Sequence, residues 1–226
     1  MNRTFIKRIS LLFLLFVNLN FQDKNQLFSQ DPFRLQTEVA HLDSLIYNFD
    51  TTKDIILFTG SSSIRKWDSI PNYFHGYQII NTGFGGSQMS DLLFYADQLI
   101  LKYSPDIIFI YEGDNDIAEG KTIKEIMLTT DTLLTKLKQR IPDVEIVFIS
   151  AKPSLARWGL KDDYLALNSA LRSYCNNNKS TYFADIWNVM LDKDGNPTKN
   201  LFVDDGLHMT KAGYMLWAEE LLKYLK

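Results

Sequence analysis

An α/β fold is expected, a three-layer α/β/α sandwich with a central parallel sheet of about five strands. Three observations predict it. Five short apolar runs recur along the chain, each of strand length. Stretches with helical spacing separate them. Strands alternating with helices build βαβ units, whose right-handed crossovers put helices on both faces of a parallel sheet. Finally, the runs are continuously apolar rather than alternating, as in strands covered on both faces.

In chain order, Leu35, Val39, Leu42, Ile46 and Phe49 mark a helix over 35–49. "DIILFT" (54–59) is the first strand and "YQIIN" (77–81) the second. "DLLFYADQLILKY" (91–103) is helical, with Pro105 beyond its end. "DIIFIY" (106–111) is the third strand. Ile123, Ile126, Met127, Leu133, Leu134 and Leu137 form one stripe of a helix over 122–140, which Pro142 ends. "VEIVFIS" (144–150) is the fourth strand. Tyr164, Leu167, Leu171 and Tyr174 share a face of a helix over 163–177, and "TYFAD" (181–185) is the fifth strand. The last helix spans 211–225, with Thr210 as N-cap. "LDKDGNP" (191–197) has the wrong spacing for a calcium loop and reads as a turn.

The N-terminus is different in character. Arg3, Lys7 and Arg8 precede the apolar run Ile9–Val17, and no acid appears before Asp23. A basic start with a short apolar core is the pattern of an export signal. The run is short for a bilayer span, and an uncleaved anchor is the alternative. Residues 1–30 are therefore expected to be a secretion signal and short linker, and 31–226 a single domain, periplasmic or secreted. Without residues 1–30 the chain loses four bases (Arg3, Lys7, Arg8, Lys24) and one acid (Asp23), leaving 20 and 26, a net charge of -6. No basic block invites nucleic acid. Cys175 is the only cysteine, so no internal disulfide is possible, and its helical setting predicts a buried small hydrophobe.

Ligands of open α/β sheets bind beyond the carboxyl ends of the strands. Unusual chemistry collects there: "TGSSS" after the first strand, "NTGFGGSQ" after the second, "YEGDND" after the third, "AKPSLARW" after the fourth, and "DDGLH" ahead of the last helix. Of three histidines, His41 and His75 sit where surface residues are expected. His208 follows Asp205 by three residues in a turn shaped by Gly206, so the carboxylate can reach the imidazole and fix its tautomer. A serine nucleophile needs such a base, and it needs donors for the developing oxyanion. The glycine turn 83–86 can offer backbone N–H groups, and Asn115 an amide. "GDND" is also compatible with a solvated acidic turn. If extended, its two aspartates point apart, which argues against a shared metal.

These blocks, in this order, resemble the SGNH hydrolase superfamily, the GDSL-type esterases and lipases. The likeness covers about residues 54–226. Gly60-Ser61-Ser62 matches the nucleophile block, "GFGGSQ" the glycine block, Gly113-Asp114-Asn115-Asp116 the asparagine block, and Asp205-Gly206-Leu207-His208 the last block. The resemblance implies a flavodoxin-like SGNH hydrolase fold. It implies a catalytic set of Ser62, Asp205 and His208, and an oxyanion hole of Ser62, Gly86 and Asn115. No metal and no cofactor are implied. Serine at 61 replaces the usual aspartate, which leaves open the turn geometry and whether Ser61 or Ser63 substitutes for Ser62. The G-x-S-x-G elbow does not fit, since position 64 is Ile. Arg157 and Trp158 are expected to wall the substrate pocket, against the alternative of ordinary loop packing. The function so implied is hydrolysis of a small carboxylic ester, with an acetylated carbohydrate as the favoured substrate and no stable membrane association after signal removal. Alternatives are a lysophospholipase or thioesterase of the same family, a carbohydrate-binding module without turnover, and a flavodoxin-like binding domain.

Overall fold

The computed structural model describes residues 30–225. The predicted export signal therefore falls, but for Gln30, outside the described residues. Five strands form one fully parallel sheet: β1 (Ile55–Gly60), β2 (Gln78–Gly83), β3 (Ile107–Tyr111), β4 (Glu145–Ile149) and β5 (Thr181–Ala184). Their order is β2-β1-β3-β4-β5, the doubly wound flavodoxin-like order. The winding reverses at β1, so the crevice between the ends of β1 and β3 is where such sheets take ligands.

Alternation along each strand divides the core in two. Leu57, Ile80, Ile108, Ile110, Ile146 and Phe148 face one layer. That layer holds α1 (Gln36–Ser44), α3 (Met89–Phe94), α4 (Ala96–Leu99), α6 (Ile123–Arg140) and α7 (Lys161–Asn176). Ile56, Phe58, Phe109, Tyr111, Val147 and Ile149 face the other. That second layer is made by α8 (Lys211–Leu221) and the segment after the one-turn helix α2 (Ser62–Arg65). It is thin in helices and rich in rings. Phe58 stacks on Phe109 at 4.7 Å, and Trp67 on Tyr214 at 5.1 Å. Trp217 meets both Trp67 and Tyr111. Truncating a buried ring of this kind typically costs about 3–5 kcal/mol.

Several helix boundaries differ from expectation. The helix over 35–49 stops at Ser44, and Ile46 is exposed. Tyr47 and Phe49 leave the helical path to pack on Tyr103, and this aromatic contact overrides the local spacing. The helix over 91–103 is broken into α3, α4 and a 3-10 turn at Leu101–Tyr103. Thr210 caps α8 through the Gly213 N–H, as expected. Asp192 Oδ1 accepts the N–H groups of Asp194 and Asn196, so 191–197 is a turn. Cys175 is buried, and burial pushes its thiol up to about 12. Among the described residues, no helix is long and apolar enough to cross a membrane.

The strand ends are drawn tightly together. Gly60 pairs with Gly83 on one side and Tyr111 on the other. Gly60 has φ +123°, and a Cβ there would lie 2.0 Å from the Tyr111 carbonyl oxygen. A Cβ on Gly83 would lie 2.3 Å from the Arg65 nitrogen. Gly60→Ala is expected to cost about 3 kcal/mol or more, read as a lower urea midpoint, since left-handed strain adds to a backbone overlap. A variant that melts with the parent would show that these ends can spread.

Candidate active site

Gly60 ends β1, and Ser61 turns the chain into α2. Ser61 donates its N–H to the Tyr111 carbonyl at 3.0 Å, and Phe84 donates to the Gly60 carbonyl at 2.8 Å. Thus the loops after β1, β2 and β3 are tied together by main chain alone. Ser62 is the first residue of α2, and its Oγ lies 2.9 Å from His208 Nε2. Its neighbours face elsewhere. Ser61 Oγ is buried and donates to Asp114 Oδ1 at 3.5 Å. Ser63 is buried, and its carbonyl accepts the Tyr214 hydroxyl at 2.8 Å. Of the three hydroxyls, only that of Ser62 meets the imidazole.

The loop 203–208 brings His208 to this point. Val203 N–H bonds the His208 carbonyl at 2.9 Å, closing the loop on itself. Asp205 Oδ1 accepts the N–H groups of Leu207 and His208, each at 2.8 Å. Its other oxygen meets His208 Nδ1 at 2.6 Å. A carboxylate only accepts, so Nδ1 carries the proton and Nε2 is left to accept from Ser62. Desolvation pushes the Asp205 carboxyl up. The hydrogen bonds from the His208 ring and from the two backbone N–H groups outweigh it, and hold the group well below the ordinary carboxylate range. Ala156 donates to the Gly206 carbonyl at 3.0 Å, coupling this loop to the one after β4.

Asn115 follows β3 in α5 (Asp114–Ala118). Its amide nitrogen donates to the Ser87 carbonyl at 2.9 Å, and its oxygen accepts from Arg157 Nη2 at 2.9 Å. One N–H of that amide is left over. No acceptor among the described residues takes the backbone N–H of Ser62 or of Gly86. The three donors lie on the loops after β1, β2 and β3, which the backbone bonds of Gly60 and Ser61 tie together.

The alternative for "GDND", a solvated acidic turn, does not hold. Asp114 and Asp116 lie in helix α5, both buried. Asp116 accepts the Met89 N–H and pairs with Lys121 at 3.0 Å. Asp114 accepts the Tyr111 hydroxyl at 3.0 Å, with Lys152 at 3.6 Å and Arg157 at 3.5 Å. Among the described residues no cluster of His, Cys, Asp and Glu is suited to a metal. Glu112 is wholly buried, and its Oε1 lies 2.5 Å from Ser87 Oγ. Burial, and then the Asp116 charge, push its carboxyl well above the usual range, against the Ser87 hydrogen bond, which pulls it down.

Arg157, expected to wall a substrate pocket, turns its donors to Asp114 and Asn115. Trp158 stacks on Trp187 at 5.9 Å, and Lys161 lies 5.2 Å from its ring centre. His41 and His75 are exposed. The supports that sequence reasoning missed lie upstream. Glu38 accepts the Gly85 N–H at 3.0 Å and pairs with Arg65 at 3.2 Å. Arg34 pairs with buried Asp91 at 2.5 Å and reaches the Gly86 carbonyl at 3.5 Å. Nothing in the local sequence distinguishes Glu38, on α1, or Arg34, in the 3-10 turn before it, from surface charges.

The family pattern of the GDSL-like lipase/acylhydrolase family matches residues 43–216. A curated relative, the "Multidomain esterase" of Ruminococcus flavefaciens, is 29% identical over 187 residues, 77% of this chain and 23% of the relative. The chain thus spans about a quarter of the length of that relative. Among solved structures, a Streptococcus pneumonia protein provisionally described as a platelet activating factor superposes with TM-score 0.75 at 22% identity, covering 95% of this chain and 99% of the other. A catalytic mutant of an acetylxylan esterase from Geobacillus stearothermophilus gives TM-score 0.62 at 16% identity, covering 75% and 93%. At these identities the likeness shows a shared fold. The family pattern takes in most of the chain and every block of the site from Ser62 to His208, and the chain belongs to the GDSL-like lipase/acylhydrolase family.

Proposed function

We propose that this chain is a serine esterase that removes short acyl groups, acetyl above all, from carbohydrate. One observation carries the chemistry: the unbroken relay from Ser62 Oγ through His208 to Asp205, at 2.9 and 2.6 Å. His208 Nε2 takes the hydroxyl proton as Oγ attacks the ester carbonyl. The negative charge on the carbonyl oxygen is met by the N–H groups of Ser62 and Gly86 and by the spare N–H of Asn115. The tetrahedral intermediate collapses, and the imidazolium gives its proton to the departing alcohol. Asp205 holds the ring in the needed tautomer and stabilises it while charged. Water, deprotonated by the same nitrogen, then cleaves the acyl-Ser62 ester and frees the acid.

The preference for acetylated sugars has two supports. The acetylxylan esterase above shares the fold, and the export pattern of residues 1–30 would put the protein where polysaccharide is met. The same reading takes residues 1–30 as an export signal with a short linker and 31–226 as one catalytic domain. Arg157 and Trp158 border the loop that would meet the substrate.

A fluorophosphonate probe is expected to label one serine, mapped to Ser62. Labelling that persists in Ser62→Ala would discard the assignment. Asn115→Ala is expected to lower kcat by about 100- to 1000-fold, as when an oxyanion donor is removed, in a variant that still folds but melts somewhat lower, since the Ser87 carbonyl and Arg157 lose a partner. Rates on nitrophenyl esters of increasing chain length, set beside acetate release from acetylated xylan, test the substrate. Fastest turnover at acetyl is expected, and a maximum at long acyl chains would favour a lipase or lysophospholipase.

A further inference from the structure

An asparagine amide serves an oxyanion only when its nitrogen faces the right way. The terminal torsion of Asn is broad and roughly two-fold, so the residue does not set this itself. Two partners decide it here. The Ser87 carbonyl can only accept, and takes a hydrogen from Nδ2 at 2.9 Å. The Arg157 guanidinium can only donate, and gives one to Oδ1 at 2.9 Å. A flipped amide would set its nitrogen against the guanidinium and its oxygen against a carbonyl.

The other arm of the guanidinium fixes where that arginine sits. Its Nη1 lies 3.2 Å from the Asp114 carbonyl and 3.5 Å from the Asp114 carboxylate. Tyr164 also donates to the Asp114 carbonyl, at 3.0 Å. The fork therefore grips two consecutive residues at the start of α5, a geometry a lysine cannot copy. The side chain is 21% exposed, and these bonds turn its donors inward.

We propose that Arg157 is a positioning residue for ester hydrolysis: it locks the Asn115 amide with the nitrogen toward the reacting carbonyl, and acts on turnover through Asn115 without touching the substrate. This rests on Asn115 being an oxyanion donor. Ser87 still holds one end of the amide when Arg157 is lost, so the effect is smaller than deleting Asn115.

The test is a double-mutant cycle on nitrophenyl acetate, whose small size removes sugar contacts. Arg157→Met is expected to lower kcat by about 10- to 30-fold, a part of the loss seen for a missing oxyanion donor. KM should stay within about 2-fold, as expected when only transition-state contacts weaken. Arg157→Lys should recover part of the rate, since one ammonium can still donate to Oδ1. In an Asn115→Ala background, Arg157→Met should change kcat by less than about 2-fold, because the group it positions is gone. Losses that multiply in the double variant, or a loss confined to KM, overturn the proposal. Melting temperatures certify that each variant is folded, and Arg157→Lys carries the cycle if Arg157→Met is not. If folded Asn115→Ala turns over at the parent rate, the active-site reading itself falls, and the cycle reports that separately.

Discussion

Two backbone hydrogen bonds at the end of β1 hold the site together. Gly60 accepts from Phe84, and Ser61 donates to Tyr111. They carry the sheet ladder one step beyond the last paired residues, on both sides of β1. Consequently the turn bearing Ser62 is fixed to the glycine loop on one side and to the asparagine helix on the other. No side chain takes part, so the geometry survives changes in the side chains around it. The condition is that strands approach without a Cβ at Gly60, where the Tyr111 carbonyl would overlap it.

Beneath that seam lies a buried polar cluster centred on Asp114. Tyr111, Ser61, Lys152 and Arg157 all approach its carboxylate. A buried carboxylate is costly unless its charge is met, and here two cations and two hydroxyls meet it. The cluster also accounts for serine at position 61. An aspartate there would face the Asp114 carboxylate across the 3.5 Å that the serine hydroxyl now spans. Two like charges at that range oppose each other's ionisation. A hydroxyl at 61 and a carboxylate at 114 are thus complementary choices, and the turn into α2 keeps Ser62 within reach of His208.

Much of this was legible in the sequence, and the reasons differ by element. The strands stood out because continuous apolar runs between polar turns have few other readings. The placing of the five loops followed from the parallel sheet alone, and Asp205 and His208 were readable because three residues is the span of one turn. The helix ends were not, since Tyr47 and Phe49 answer to Tyr103 rather than to helical spacing. Burial of Asp114 and Asp116 was equally hidden. Their cations, Lys152, Arg157 and Lys121, are brought to them by the fold, and two of the three lie more than thirty residues away in the chain.

The N-terminal helix shows how such a site divides its labour. The family pattern begins at residue 43, yet Glu38 and Arg34 hold the glycine loop from outside it. The carboxylate of Glu38 takes the N–H of Gly85. With that donor satisfied, the N–H groups of Gly86 and Ser87, next in the turn, are left without an acceptor among the described residues. Arg34 holds the same turn from its carbonyl side and is itself held by buried Asp91. A charge-assisted bond to an N–H is stronger than a neutral one, and a bidentate arginine pair adds direction to it. The chemistry therefore dictates which atoms must meet at Ser62, while the supports that aim them are free to come from whichever element packs nearby. In this chain those elements are the 3-10 turn Pro32–Leu35, which carries Arg34, and the short helix α1 after it, which carries Glu38 and whose sequence, read alone, has the look of an ordinary amphipathic surface.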